Sequence, residues 1–176
     1  MRNSNINAVI AFIGLIFLSL GSSGQSEAKN QFKYETNTNA SYETISGSTG
    51  SERLQLNSKI VRNFVKDYPQ VSGVTWRKDG RNYVAKFKTG EVSNKVVYAR
   101  NGQVKYSLKT YTENGLPQRV RSAVKSVYYD FFISSVQELK LNGRTFYFIQ
   151  MSDAQNWKTV RWTEGELQEI ESFQKG

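Results

Sequence analysis

Gly73-Val74-Thr75-Trp76-Arg77-Lys78-Asp79-Gly80-Arg81-Asn82-Tyr83-Val84-Ala85-Lys86-Phe87-Lys88 is the stretch that decides the fold of this chain. Two runs rich in β-branched and aromatic residues flank Asp79-Gly80, a pair among the strongest signals for a tight hairpin. The reading is two antiparallel strands over residues 73–78 and 82–88. Further along, residues 94–100 and 104–111 flank a second turn at Asn101-Gly102, so four strands follow in succession. Upstream, Ile60, Val61, Phe64, Val65 and Tyr68 fall at i, i+3, i+4 spacing. That spacing predicts a helix from near Ser51 to Tyr68, ended by Pro69.

The landmarks then return. Asp79-Gly80-Arg81 recurs as Asn142-Gly143-Arg144, Lys95-x-Val97 as Lys158-x-Val160, and Gly102-x-Val104 as Gly165-x-Leu167, all at an offset of 63 residues. Val61-Arg62-x-x-Val65-Lys66 returns as Val120-Arg121-x-x-Val124-Lys125 at an offset of 59. After a turn at residues 112–115, Leu116-Pro117 reads as a helix start, because proline fits the first helical position. Pro117, Val120, Val124, Val127 and Tyr128 continue the apolar stripe, and strands are expected over 135–140, 144–151, 157–163 and 166–173. The expected fold class is α+β, with one unit over 51–112 and a second over 113–176. Each unit is a helix plus four antiparallel strands, and together they make a continuous curved sheet with both helices on one face.

The run Phe64…Tyr68-Pro69…Val74-x-Trp76…Tyr83-x-Ala85-x-Phe87…Tyr98-x-Arg100-Asn101-Gly102 resembles the repeat of PepSY-like, beta-lactamase-inhibitor-like (BLIP-like) exported bacterial proteins. Leu116-Pro117…Val120…Val124…Tyr128-Tyr129 is similar to the start of a second copy. The similarity covers about residues 54–173, and its motifs are core aromatics and turns. The second copy departs from the pattern: Leu139 stands in place of the Val-x-Trp tryptophan, and Tyr128-Tyr129 lacks the following proline. The resemblance implies an exported, non-catalytic protein whose curved sheet docks on another protein.

Residues 1–28 read as a secretory signal peptide. Arg2 supplies the positive start, and residues 8–20 form an uncharged, mostly apolar run of 13, short for a bilayer span. An uncleaved N-terminal anchor is the alternative. Residues 29–50 are rich in Asn, Ser, Thr, Gly and Glu and read as a flexible leader. The protein is thus expected in the periplasm or outside the cell, with no membrane span once the signal is removed. It has no cysteine, so packing alone must hold it.

With neither histidine nor cysteine, the chain lacks the usual neutral-pH base, the thiol nucleophile and the imidazole and thiolate metal ligands. Ser122-Ala123-Val124-Lys125, Lys88-Thr89-Gly90 and Ser152-Asp153-Ala154 echo the three motifs of penicillin-binding serine enzymes. Their order is wrong, the third is imperfect, and Val124 belongs to the helix stripe. Glu164, Glu166, Glu169 and Glu171 offer carboxylates for a hard cation, with Glu169 and Glu171 on one face of the last strand. A charge-protected edge strand explains them more simply. No enzyme activity, cofactor or metal is expected.

The formal net charge is +9 and aromatics make up 13% of the residues. Export argues against nucleic acid as the target and favours a protein or an anionic envelope component. Strand alternation separates Asn82, Lys86 and Lys88 from Tyr83, Ala85 and Phe87, and Lys105, Ser107, Lys109 and Tyr111 from Val104, Tyr106 and Leu108. Tyr98 stands on the face opposite Val97, and Arg161, its counterpart at offset 63, opposite Val160 and Trp162. Trp76 and Trp162 are expected in the core, and Trp157, beside a polar loop, partly exposed. The expected binding face therefore comprises Lys86, Tyr98, Lys109, Tyr111, Arg161 and Trp157, with an ordinary solvated sheet face as the plain alternative. The alternative function is a periplasmic module binding a small ligand, a glycan or a lipid.

Overall fold

Alternating strands joined by tight turns can only add to one another edge by edge, and that is the observed arrangement. A computed structural model describes residues 55–176. The expected signal peptide (1–28), the leader (29–50) and the first residues of the expected first helix lie outside the described residues. In order come α1 (Ser58–Asp67), β1 (Thr75–Asp79), β2 (Asn82–Thr89), β3 (Val92–Ala99) and β4 (Val104–Tyr111). A single 3-10 turn (Glu113–Gly115) then leads to α2 (Gln118–Val127), β5 (Phe132–Leu141), β6 (Arg144–Ser152), β7 (Asn156–Thr163) and β8 (Glu166–Gln174). The strands form one eight-stranded sheet in the order β1 to β8, each antiparallel to its neighbours.

The helices are shorter than the periodicity suggested. The Asn57 side chain accepts a hydrogen bond from the Lys59 N–H at 2.9 Å, an N-cap that starts α1 at Ser58. Only Ile60 and Phe64 of α1 are buried, one turn apart, and Val65 is exposed. In α2 the buried pair is Val120 and Val124, and Val127 is exposed. The two helices are thus matched at a spacing of 60 residues, from Ser58–Asp67 to Gln118–Val127. The expected spacing of 59 followed the repeated Val-Arg letters, whereas burial follows the face.

Ile60 and Phe64 cluster with Val71, Trp76, Ala85, Phe87, Val96 and Tyr98. Val120 and Val124 cluster with Tyr111, Val136, Ile149, Met151, Val160 and Trp162. Register joins these clusters, because Phe87, Asn94, Lys109, Glu138, Tyr147 and Trp162 are opposed strand by strand and so share a face. This is called the first face below. Phe64 is its densest point, with ring centroids 5.2 Å from Trp76 and 5.3 Å from both Tyr68 and Phe87.

The common offset of 63 conceals a one-residue slip. Gly80 takes the first central position of the β1–β2 turn, whereas Gly143 takes the second position of the β5–β6 turn. Asn142 and Gly143 both adopt positive φ, at 52° and 77°, the pattern of a type I′ turn. A slip of one residue sends every following side chain to the other side of the sheet. Val97 accordingly lies opposite Tyr106 on the second face, while its sequence counterpart Val160 packs in the first-face core.

Candidate binding face

The second face is read from the same registers. Lys86, Lys95, Leu108, Leu139 and Phe146 form one row across β2 to β6. Lys88, Ser93, Thr110, Gln137, Phe148, Arg161 and Gln168 form another, reaching β8. Among the described residues neither helix contributes to this face. Its centre is apolar and inaccessible, with Val84, Leu139, Phe146 and Phe148 each at 4% exposure or less. Around that floor stand Arg77, Lys86, Lys88 and Arg144, all exposed, with Lys95 and Arg161 half-buried.

Electrostatics make this face inhospitable to further positive charge. Burial holds the Lys95 ammonium below the usual lysine range, and the nearby Arg77 guanidinium lowers it further, against a smaller raising effect of Asp79. The Lys95 Nζ also lies 5.8 Å from the centre of the Tyr106 ring. Arg144 is held by Glu164 through two parallel bonds of 2.9 and 2.7 Å, which tie the β5–β6 turn to the β7–β8 turn. Arg161 donates from a terminal nitrogen to the Gln168 side chain, yet its Nε is buried without a partner, as is the Gln137 Oε1. Two unpaired polar atoms thus flank Phe148 on one row.

Lys86, Arg161 and Trp157 stand on this second face, but Tyr98, Lys109 and Tyr111 do not. Tyr98 is fully buried in the α1 cluster, its ring 5.8 Å from that of Trp76. Tyr111 is buried in the α2 cluster, and its hydroxyl donates to Glu138 at 2.9 Å. Lys109 lies opposite Asn94 and Glu138 on the first face. These three are corrected from the expected contact set. For Lys109 the cause is that β4 and β5 carry Lys105, Ser107, Lys109 and Lys140 on the first face, outside both helix clusters. There a polar face does not mean the face turned away from the helices.

Lys105, Ser107 and Lys140 help wall an open cleft of about 350 Å³ with Asp67 and Tyr68 at the end of α1. The hydroxyl of Tyr98 is buried close by, without a hydrogen-bond partner. Burial raises its pKa well above the usual tyrosine range, with smaller contributions from Tyr68 and Asp67. The orphan hydroxyls and amides carry no sequence signal, because alternation reports which face a residue takes and not whether its polar atom finds a partner.

The acidic strand also departs from expectation. Glu169 lies opposite Val160 and Glu171 opposite Thr159, so an irregularity between these pairs puts the two carboxylates on opposite faces. Glu169 accepts bonds from Lys158 at 2.8 Å and Tyr128 at 3.2 Å, and Glu164 is engaged by Arg144. Lys125, of the Ser-x-x-Lys echo, donates to the Phe131 carbonyl and so closes the turn after α2.

No family model matches the sequence, and no curated protein sequence matches it. Solved structures do. A DUF2874 family protein from Bacteroides uniformis is similar at 21% identity with a TM-score of 0.52, over 67% of this chain and 88% of that one. A BLIP-like protein from Bacteroides fragilis is similar at 19% identity and a TM-score of 0.54, over 69% and 87%. A predicted periplasmic protein of Bacteroides eggerthii is similar at 18% identity and a TM-score of 0.52, over 68% and 88%. At this distance the likeness establishes the fold: the chain is α+β and BLIP-like.

Proposed function

We propose that the chain is an exported, non-catalytic binding protein that docks a protein or an anionic envelope component on the second face of its sheet. Its two helix-plus-four-strand units act as tandem repeats that extend one curved surface. The observation that carries this reading is the ring of Arg77, Lys86, Lys88, Lys95 and Arg161 around an apolar centre on a face outside both helix clusters. Cations standing around this buried floor steer an acidic partner onto the face. The periplasmic description of a similar structure supports an envelope location. Lys86, Arg161 and Trp157 remain as contact residues.

The test is crosslinking capture from an envelope extract with three forms of the chain. Lys86→Glu with Lys88→Glu should reduce recovery of a stoichiometric partner about tenfold or more, at an unchanged thermal midpoint. Lys109→Glu, on the first face, should not reduce it. Equal recovery from all three forms would overturn the second-face reading.

One observation favours a second reading. The open cleft of about 350 Å³ beside Asp67, Lys105 and Lys140 brings together both charges that a small zwitterionic ligand would need. A compound that binds only the folded chain must raise its thermal midpoint. A screen of amino acids, short peptides and sugar acids should therefore yield a concentration-dependent rise that Lys105→Glu with Lys140→Glu abolishes. A flat screen would remove this reading.

A further inference from the structure

Among the described residues, eight large hydrophobic side chains are exposed, and six of them belong to the second half of the chain. They are Val127 and Tyr129 at the end of α2 and its turn, Phe132 opening β5, Trp157 in β7, and Ile170 and Phe173 in β8. Register shows how three of them meet. Phe132 lies opposite Ser152, Ser152 opposite Trp157, and Trp157 opposite Phe173, one row across four strands on the second face. Phe132 is 67% exposed, Phe173 61% and Trp157 46%. Single exposed apolar residues are ordinary, but a contiguous group marks an interaction site.

We propose that this corner is a contact site for a lipid bilayer with anionic headgroups. The composition fits an interface between water and hydrocarbon, since tryptophan and tyrosine prefer that level and phenylalanine and aliphatic side chains enter below it. Lys175 is placed to meet the headgroups, with its Nζ 4.7 Å from the Trp157 ring and bonded to the Asp153 carbonyl at 2.6 Å. Charge favours an anionic surface. Residues 1–54 carry four cations and four carboxylates, so the whole net charge of +9 belongs to residues 55–176. The exposed Asp130 and Glu171 keep the rim of the corner near neutral, so attraction comes from the field of the whole domain. The site shares Trp157 with the docking face proposed above, but it needs no protein partner around Lys86 and stands or falls without one.

The protein carries its own reporter. Trp76 and Trp162 are buried at 7% and 8% exposure, and residues 1–54 contain no tryptophan. Environmental changes in tryptophan emission therefore report on Trp157. Adding vesicles of phosphatidylglycerol and phosphatidylethanolamine to the full chain should shift the emission to the blue, and brominated acyl chains should quench it. Phe132→Ser with Phe173→Ser should keep the thermal midpoint and weaken the vesicle response about tenfold or more. Three results would overturn the proposal. The first is no shift and no quenching. The second is an equal response from pure phosphatidylcholine vesicles, which would remove the anionic requirement. The third is a concentration-dependent shift without vesicles, which would assign the corner to a second copy of the chain. Protein-free vesicles make these outcomes independent of whether any protein partner is captured.

Discussion

Phe64→Ala is expected to lower the unfolding free energy by about 3–5 kcal/mol, the usual cost of removing a buried phenyl ring and leaving a cavity. Phe64 is 3% exposed and is the only α1 side chain placed against three other aromatic rings, those of Tyr68, Trp76 and Phe87. Those contacts are edge-on or tilted, with interplanar angles of 33° to 85°, so each adds a quadrupolar attraction beyond area burial. Domains of this size are stable by only about 5–15 kcal/mol, so the loss takes a large share of the total. Val65→Ala, one residue on but exposed, should cost less than about 1 kcal/mol. Denaturant titration of both variants gives the comparison. A cost for Val65→Ala equal to that for Phe64→Ala would mean that α1 lies on the sheet by the other stripe.

That pair of residues also shows how far the sequence could be read. Helices, strands and their antiparallel succession were legible, because turn chemistry at Asp79-Gly80, Asn101-Gly102 and Asn142-Gly143 punctuates period-two alternation. The 104–111 strand was placed to the residue. The helix start was not legible, since a cap at Asn57 decides it and asparagine sits in many loops. The faces were read in part. Alternation divides the strands into two sets, except in β8 where an irregularity separates Glu169 from Glu171, yet it does not say which set meets a helix. Across β2 the apolar set Tyr83, Ala85 and Phe87 does so, and the reading holds.

Across β4 the polar set lies on that side, outside both helix clusters, and the reading reverses. Lys109 was lost from the expected contact set for this reason, Tyr111 because from the same side it packs into the α2 cluster, and Tyr98 because its counterpart Arg161 is displaced by the one-residue slip at the turns. The aromatic corner was half legible, since Trp157 announced itself beside a polar loop. Phe132 and Phe173 join it only through register, which depends on the length of the β6–β7 turn.

Alkaline pH should unfold this chain where mild acid and neutral pH leave it untouched. Without histidine or cysteine, no side chain of ordinary pKa titrates between about pH 5 and 8, and stability should be nearly flat there. Six tyrosines are shifted upward: Tyr68, Tyr98, Tyr106, Tyr111, Tyr128 and Tyr147. Burial is the leading cause in each, and for Tyr111 the bond to Glu138 adds to it. The sign follows directly. Above about pH 10 the unfolded chain releases its tyrosine protons while the folded chain retains them, so the unfolded state gains. The contribution is whole below pH 10 and is lost as pH climbs toward the folded values.

For the two buried core tyrosines, Tyr98 and Tyr111, each pH unit in that window removes up to about 1.4 kcal/mol per group. Lys95, shifted downward by burial, acts in the opposite sense, but it is one group against six. Tyr98→Phe should reduce the alkaline slope by one group. At neutral pH it should not destabilise the fold, because the hydroxyl it removes is buried without a partner. Tyr111→Phe should reduce the slope equally but cost about 1 kcal/mol at neutral pH through the lost Glu138 bond. Denaturant midpoints from pH 6 to 12, followed with tyrosinate absorbance, measure both quantities. An alkaline slope left unchanged by the two substitutions together would place the tyrosine hydroxyls in water and contradict the packing of both helix clusters.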